Sequence, residues 1–310
     1  MGFLRKIFRK YFWLPLMFFL IRNKLPNVRV MDAIQTVEYL LNSESSCVRF
    51  GDGELEILTK TGNPGFQRAS ERLRARMYEV LSSHRENLLV CVPAVINYHN
   101  IDIYNVRAKT HFRNFVILFR KYLSETLIAG GLYGDTQVTR PYMDTLNKQY
   151  SERIFNGFKQ LFSEKHILII EGAKTRFGVG NDLLDQAVTV RRILAPSVNA
   201  FDKYEDILKT ALETVSKIEQ ENINRSNLLI IVALGPTAKP LVYDLSLLGY
   251  RVIDIGHLDV EYEWFLRSAK KKISIPGKYV NEAKDGNVWT ENLHFDLEHY
   301  SKEVVARVDN

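Results

Sequence analysis

From residue 32 onward, the sequence alternates between short apolar runs and longer segments with helical periodicity. The runs with the length and composition of buried strands are 47–50, 88–92, 126–129, 167–170, 191–194, 228–233 and 252–255. Helical patterns lie near 32–42, 67–82, 107–123, 149–162, 181–189, 203–221, 237–248 and 259–269. Strands that alternate with helices form mostly parallel sheets covered by helices on both faces. We therefore predict an α/β fold with a Rossmann-like sheet in a single domain.

The positive charge of the chain is concentrated at its N-terminus. The 310 residues carry a formal net charge of +6. Residues 1–24 contain six basic residues and no acidic one, so the rest of the chain is balanced. A balanced remainder argues against a broad nucleic-acid-binding face. We therefore expect no nucleic-acid partner.

Residues 11–21 form an uncharged apolar run with basic clusters on both sides. The run is shorter than the roughly 20 residues needed to span a bilayer, and residues 22–26 lack the small-residue cleavage site of a secretory signal. Aromatic side chains beside cations are typical of a helix in the membrane interface. We expect peripheral membrane contact through residues 1–24; the alternative is a helix packed on the protein's own core or on a partner.

The two cysteines bear on the compartment. Cys47 and Cys91 each lie in an apolar run with strand character, and no metal-ligand cysteine spacing is present. Buried thiols in a reducing compartment are favoured over a disulfide. We expect a cytoplasmic protein, peripheral on the inner face of the plasma membrane.

Ligands of open parallel sheets bind beyond the carboxyl ends of the strands, so the loops after strands are the candidate sites. The first loop reads RFGDGE at 49–54. Its two glycines let the backbone approach a ligand, and Asp52 and Glu54 can reach one divalent cation. Asp-Gly is also an ordinary turn, and both interpretations stay open.

Two further loops carry basic or amide side chains. Lys174 and Arg176 lie in a glycine-rich turn that suits phosphate, although it matches neither a Walker loop nor the dinucleotide fingerprint. Asn199 follows the next strand, where its amide can recognise a pyrimidine. A solvated loop and a simple turn cap explain the same residues.

The last two loops open helices. The Gly-Pro-Thr entry that ends at Thr237 exposes amide groups at a helix start, which suits an anion or merely caps the helix. His257, Asp259 and Glu261 crowd one strand end, where burial and repulsion can raise a carboxyl pKa enough for base catalysis. Acids at a helix start also suit the helix dipole without any further function.

Together these loops resemble the GT-D type bacterial glycosyltransferases, a family long catalogued as a domain of unknown function. The similar segments are RFGDGE at 49–54, EGAKTRFGVGNDLL at 171–184, RRILAPSVNAFDKY at 191–204, ALGPTAKPLVYDLSLLGYRVIDIGHLDVEYEWF at 233–265 and GKYVNEA at 277–283. The resemblance implies a Rossmann-like GT-D fold that binds UDP and a divalent metal through an Asp-x-Glu motif. It also implies transfer of a hexose, typically glucose, from a UDP-sugar to a growing glycan, for example on serine-rich repeat adhesins.

The motif carries onto Asp52 and Glu54 as ligands of Mn²⁺ or Mg²⁺. By motif position and chemistry, the expected UDP-sugar site extends to Arg49, Gly51, Lys174, Arg176, Asn181, Asn199 and Thr237. The expected catalytic residues, which would deprotonate the acceptor hydroxyl, are Glu261, Asp259 and His257. The partners implied are a UDP-hexose and a glycan or glycoprotein acceptor, and the basic aromatic N-terminus favours a lipid-linked one.

The expected organisation has three parts: a basic aromatic segment at 1–28, a catalytic domain at 29–285, and a C-terminal tail at 286–310. The final 35 residues, from Pro276, are polar and poorly periodic, and we expect them to form a lid or a wrap over the sheet. Two rival functions remain. One is a phosphohydrolase or nucleotidase on a Rossmann-like sheet, with Asp52 as nucleophile or metal ligand. The other is a membrane-tethered, non-catalytic subunit of a glycan assembly complex.

Overall fold

The computed structural model describes residues 8, 12–21, 26–62, 65–97, 101–280, 282–283, 286 and 297–309. Nine strands lie in this part of the chain: β1 Arg29–Val30, β2 Ser46–Arg49, β3 Leu88–Val92, β4 Leu132–Asp135, β5 His166–Gly172, β6 Thr189–Ala195, β7 Leu228–Ala233, β8 Val252–Asp254 and β9 Val304–Arg307. They form one sheet in the order β1-β4-β3-β2-β8-β7-β5-β6-β9, and every neighbouring pair is parallel.

Helices cover both faces of this sheet. The α-helices of the described residues are α1 Leu14–Ile21, α2 Ala33–Leu41, α3 Asp52–Thr59, α4 Glu71–Leu81, α5 Val106–Thr126, α6 Lys148–Phe162, α7 Tyr204–Gln220, α8 Ala238–Leu247, α9 Leu258–Leu266 and α10 Leu297–Glu303. Alternate residues of each strand point to opposite faces. Ile230 of β7 therefore belongs to the same core cluster as α4, α5, α7 and α8, whereas its neighbour Ile231 belongs to the cluster that includes α2, α6 and α9. The predicted Rossmann-like α/β class is confirmed.

The prediction of a strand at 126–129 is wrong. Helix α5 runs through Thr126, and the strand follows later as β4. The sequence of β4 is Leu-Tyr-Gly-Asp, which lacks the apolar run that marks its neighbours. Its glycine is required by packing, because a Cβ on Gly134 would lie 2.5 Å from the Cys91 sulfur.

Two other segments differ from the predictions. Residues 181–189 form turns that lead into β6 instead of a helix. Only the first residues of the RFGDGE segment precede a helix, because α3 starts at Asp52 and includes the rest of the motif. Glu54 occupies the third position of this helix, and its carboxylate accepts the Gly51 N–H at 2.9 Å, as in a capping box.

The described part of the tail belongs to the sheet. Strand β9 pairs with β6, so residues 304–307 extend the sheet edge and do not form the predicted lid. Arg192 of β6 fastens this segment, since its Nε donates to Glu303 at 2.6 Å and its Nη1 to Glu171 at 2.8 Å. The helix and strand at 297–309 are thus part of the folded unit.

The two thiols are free and buried, as predicted, with their sulfur atoms 3.4 Å apart. Within the described residues, none of the helices has the length and apolar character needed to cross a membrane.

The centre of the sheet positions the functional site. Strands β2 and β8 are neighbours there, and the chain builds β3 and β4 outward on one side and β7, β5 and β6 on the other. Loops that leave adjacent strands at such a switch point diverge and open a crevice at the carboxyl edge.

Candidate functional site

A cleft of about 560 Å³ lies at this switch point. The half beside β5, β6 and β7 is mainly neutral, and its walls include Phe66, Gln67, Gly172, Thr175, Phe177, Ser197, Leu234, Gly235 and Pro236. The half beside β2, β3, β4 and β8 is charged, and its walls include Arg49, Asp52, Arg107, His111, Arg140, Asp144, His257, Lys272 and Glu282. The cleft can therefore hold a ligand that has an uncharged ring system at one end and ionic groups at the other.

A buried ion network lies between the two halves. The Lys239 Nζ lies 2.8 Å from Glu54 Oε1 and 3.0 Å from Asp254 Oδ2. Burial would lower the pKa of Lys239, but attraction to Asp254 and Glu54 raises it, so the ammonium stays charged. Arg49 joins the network through a backbone N–H bond to Asp254 at 3.3 Å. Its Nε donates to the Thr136 carbonyl at 3.1 Å.

The two acids of the Asp-x-Glu motif have different surroundings. Burial would raise the pKa of Glu54, but Lys239 and the Gly51 N–H lower it, so its carboxylate is ionised and both its oxygens have partners. Asp52 lines the cleft with a side chain that is 58% exposed. One of its carboxylate oxygens lies 3.6 Å from His111 Nε2.

These surroundings decide how a divalent cation fits. No group of three or more His, Cys, Asp or Glu side chains suited to a metal occurs within the described ranges. Mg²⁺ and related ions are commonly held by one or two carboxylates and the phosphates of the substrate. Asp52 supplies one such carboxylate directly, and Glu54 becomes available only in exchange for Lys239. The site fits a cation that arrives with a phosphorylated ligand.

On the far side of the cleft, Arg140 is bonded to both His257 and Glu282. Its Nη2 lies 2.9 Å from His257 Nδ1, which must accept because a guanidinium only donates. The His257 proton is then on Nε2. Burial would raise the pKa of Glu282, but Arg140, His257 and Lys272 lower it strongly, so this carboxylate is ionised.

The structure corrects the role expected of Glu261. Its carboxylate is buried outside the cleft and accepts the backbone N–H groups of Tyr142 and Met143 at 3.0 and 2.8 Å. Burial raises its pKa to about 7, as expected for a base, but no substrate can reach it. Glu261 holds the segment after Arg140 in place and is a positioning residue.

Asp259 and Asn181 are likewise occupied. Asp259 reaches the cleft wall, but its oxygens accept from Gly178 N, Asn181 Nδ2 and Lys278 Nζ, the last at 2.6 and 2.7 Å. The Asn181 amide also donates to Glu263 at 2.8 Å. This cluster joins α9 to the glycine-rich loop. Asp259 is therefore not placed as the predicted base, and Asn181 is not placed as the predicted ligand contact.

Lys174 and Arg176 do not line the cleft either. Lys174 is exposed, and Arg176 donates to the Gly277 carbonyl at 3.3 Å and lies 5.5 Å from the centre of the Tyr300 ring. The loop instead presents its backbone and Thr175 to the cleft. The prediction of phosphate contact by the two cations is not supported.

Asn199 and Thr237 position a cleft segment and do not line the cleft. Asn199 accepts the Arg68 N–H at 2.8 Å through its side chain, and its backbone N–H donates to the Phe66 carbonyl at 2.8 Å. The Thr237 hydroxyl lies 3.2 Å from Gln67 Oε1. Together they hold Phe66 and Gln67 against the neutral half, which replaces their predicted contacts with uridine and with an anion.

Sequence reasoning missed several cleft residues, namely Arg107, His111, Arg140, Asp144, Lys239, Asp254, Lys272 and Glu282. One signal was available for Lys239, because it is a lone cation at the start of an otherwise apolar helix. For Arg140, the misplaced fourth strand hid the fact that its loop follows a strand. Of the predicted residues, Arg49, Gly51, Asp52, Glu54, Asp259 and His257 do line the cleft.

A parallel α/β sheet with a half-charged cleft at its switch point is suited to a ligand that has both ring and ionic parts. Residues 47–283 match the model of the family described as glycosyltransferase GT-D fold. The chain belongs to this family.

Solved structures agree with the family assignment. Two domains described as domain of unknown function 1792 are 36% and 35% identical, each with a TM-score of 0.83, and this chain covers all of both. The alignments include 94% of this chain, and one of these domains is reported to have a distinct glycosyltransferase fold. A glycosyltransferase from Streptococcus sanguinis is 35% identical with a TM-score of 0.79, and the alignment covers 91% of this chain and all of that one.

Curated relatives are longer proteins. The "probable glycosyl transferase Gly" of Streptococcus gordonii is 36% identical over 289 residues, which are 91% of this chain and 39% of the relative. Glycosyltransferase GlyD of Streptococcus pneumoniae serotype 4 is 34% identical over 296 residues, 94% of this chain and 34% of the relative. The chain thus spans little more than a third of the length of these relatives.

Proposed function

We propose that the chain is a glycosyltransferase that moves a hexose, with glucose as the first candidate, from a UDP-sugar to a bacterial glycan or glycoprotein acceptor. One observation carries the proposal. The open carboxylate of Asp52 shares a cleft with cationic and neutral walls at the switch point of a GT-D sheet. A nucleoside diphosphate sugar has the matching parts: a base, a diphosphate and a polar ring.

The charges of the walls support one arrangement of the donor. The uridine lies in the neutral half, against Phe66 and the backbone of 234–236. The diphosphate lies over the centre, where Arg49 and His111 can contact it beside Asp52. A divalent cation, held by Asp52 and, in exchange for Lys239, by Glu54, would neutralise charge on the diphosphate leaving group.

Arg140 and His257 supply further charge stabilisation. His257 Nδ1 is bonded to Arg140, and its protonated Nε2 lies 3.6 Å from Glu282 Oε1, so this histidine is not placed to take the acceptor's proton. Fixed donors aimed at developing charge are commonly the largest contribution to catalysis. We therefore assign Arg140 and His257 to stabilisation of the departing UDP.

A test of the donor and the metal uses the purified chain with UDP-glucose, UDP-galactose and UDP-N-acetylglucosamine. We expect release of UDP with Mn²⁺ or Mg²⁺ and none with a chelator. Asp52→Asn should lower this turnover about 100-fold or more while leaving the melting temperature unchanged, because the side chain is exposed. Compared with Asp52→Asn, Glu54→Gln should lower the turnover less but destabilise the protein more. The reason is that it leaves Lys239 with only one carboxylate partner, Asp254.

Four outcomes would contradict the proposal. Equal turnover with and without chelator would contradict the dependence on a metal. Unchanged turnover in Asp52→Asn would contradict the assignment of Asp52 as its ligand. Release of inorganic phosphate from nucleotides would favour a phosphohydrolase. A complete lack of donor hydrolysis and transfer would favour a non-catalytic subunit.

We further propose that the acceptor is presented at a membrane. Helix α1 packs one face on α5 through Phe18 and Ile21 but exposes Leu16, Phe19 and Leu20. The six basic residues predicted to contact lipid all lie outside the described residues, so only the sequence supports their contribution. Helix α5 also reaches the cleft through Arg107 and His111, which supports an acceptor that is lipid-linked.

A further inference from the structure

The turn Thr136–Thr139 follows β4 and forms part of the charged half of the cleft. Thr136 and Gln137 line the cleft, whereas Thr139 does not. The turn is held in place from below, because Asp135 accepts the Gln137 N–H at 3.0 Å and the Ala94 N–H at 3.2 Å. Its backbone is therefore fixed before any ligand binds.

The polar side-chain atoms of this turn lack partners. The Thr136 hydroxyl and the Gln137 side-chain oxygen are buried and make no hydrogen bond within the part of the chain that the structure describes. The same holds for the Thr139 hydroxyl and for one oxygen of Asp135. Buried polar atoms are nearly always paired in native proteins, so a cluster of unpaired ones marks a place that a ligand or water completes.

The chemistry of these two cleft atoms restricts the ligand. A hydroxyl both donates and accepts, whereas an amide oxygen only accepts. Deprotonated phosphate oxygens cannot donate to the Gln137 oxygen. An ammonium group can donate to both atoms but leaves the Thr136 proton without an acceptor. Neighbouring hydroxyl groups of a sugar satisfy both.

The position of the turn agrees with this chemistry. Arg49, assigned above to the diphosphate, donates its Nε to the carbonyl of Thr136. Arg140 follows directly after the turn. A group bound at Thr136 and Gln137 is thus next to the diphosphate and on the side of the leaving-group donors.

We infer that Thr136 and Gln137 form the subsite for the sugar ring of the donor and bind its hydroxyl groups. The inference rests on the proposed function and extends it by assigning the selection among UDP-hexoses to this turn. Thr136 is 2% exposed and Gln137 is half-buried, so Gln137 is the more accessible of the two.

The experiment compares binding of two probes by calorimetry: UDP, and whichever of the three UDP-hexoses the wild type binds best. The test variants are Thr136→Val and Gln137→Leu, which remove the polar atoms with little change in volume. We expect each to weaken UDP-hexose binding about fivefold or more and to leave UDP binding unchanged. The control variant Thr139→Val, which lies in the same turn outside the cleft, should bind both probes as the wild type does.

The outcomes separate this inference from the proposed function. Loss of affinity for UDP and UDP-hexose alike, or no loss for either, overturns the sugar subsite while the proposed donor stands. A wild type that binds neither probe overturns both. If Thr136→Val does not fold, as judged by circular dichroism, the more exposed Gln137→Leu decides.

Discussion

At the scale of single residues, the surroundings of the Glu261 carboxyl decide its role. The residue has the raised pKa of a catalytic base, yet it is enclosed by the backbone of Tyr142 and Met143. The free energy of unfolding depends on whether such a buried carboxyl is neutral or ionised. Its role is therefore visible in stability and not in catalysis.

The first prediction concerns the pH dependence of this stability. Because burial raises the pKa of Glu261 to about 7, the folded state binds the proton more tightly than the unfolded chain. The contribution is fully present below the unfolded pKa of about 4.5 and is lost as the pH rises through 7. The loss is about 3–4 kcal/mol.

Glu261→Gln should remove this loss, because the amide oxygen can accept the same two N–H bonds without titrating. The measurement is the free energy of unfolding in urea at several pH values between 4 and 8, for wild type and variant. Parallel pH profiles would show that Glu261 does not titrate in this range. Transfer activity should persist in the variant, since the side chain does not reach the cleft.

At the scale of elements, helix α1 is apolar on all sides but buries only one of its faces. All eight of its residues are uncharged and mostly apolar, yet only Leu14, Phe18 and Ile21 are buried. Leu16 remains 56% exposed and Phe19 48% exposed. A contiguous apolar face of this kind on a folded protein marks an interaction site.

The second prediction is that this face binds anionic membranes. The double variant Leu16→Glu/Phe19→Glu should lower flotation with phosphatidylglycerol-containing vesicles about tenfold or more, because two apolar side chains are replaced by anions. The matched control is Leu247→Glu/Leu248→Glu, which places the same charges on residues exposed to 45% and 50% at the end of α8.

The control should float as the wild type does, and neutral phosphatidylcholine vesicles should bind less protein than anionic ones. Equal losses in both double variants would attribute the effect to net charge alone. A wild type that does not float would contradict membrane contact.

At the scale of the whole molecule, helix α10 and strand β9 join distant parts of the chain. Arg192 is buried between Glu171 of β5 and Glu303 of α10, and its guanidinium lies 5.1 Å from the centre of the Tyr300 ring. Removing one member of such a group leaves a buried charge with fewer partners. The end of the chain is therefore coupled to the sheet and to the loop beside the cleft.

The third prediction compares two glutamates of α10. Glu303→Ala should destabilise the protein by about 1–3 kcal/mol, because a charged hydrogen bond to buried Arg192 is lost. Glu298→Ala removes only an exposed pair with Lys302 and should change stability by about 0.5 kcal/mol or less. Thermal and urea unfolding of both variants measure the difference, and equal effects would show that β9 and α10 contribute nothing specific.

The sequence alone determined the class of fold and the edge of the sheet where the site lies. Both follow from local patterns, since apolar runs of strand length and helical periodicity depend on neighbouring residues. The same holds for the free thiols and for Asp52, whose motif follows directly on β2. The short edge strands β1 and β9 were missed, because runs of two and four residues are too short to show such a pattern.

Only the tertiary structure decided which polar side chains face the cleft. Lys174 and Arg176 have the composition of a phosphate loop, but they point elsewhere, whereas Arg140 and Glu282 meet across 142 positions of sequence. Hydrogen bonds and ion pairs between such distant residues depend on how helices and loops pack. Periodicity shows which face of an element is buried, but the partner that occupies a polar group, as Lys239 does for Glu54, exists only once the chain has folded.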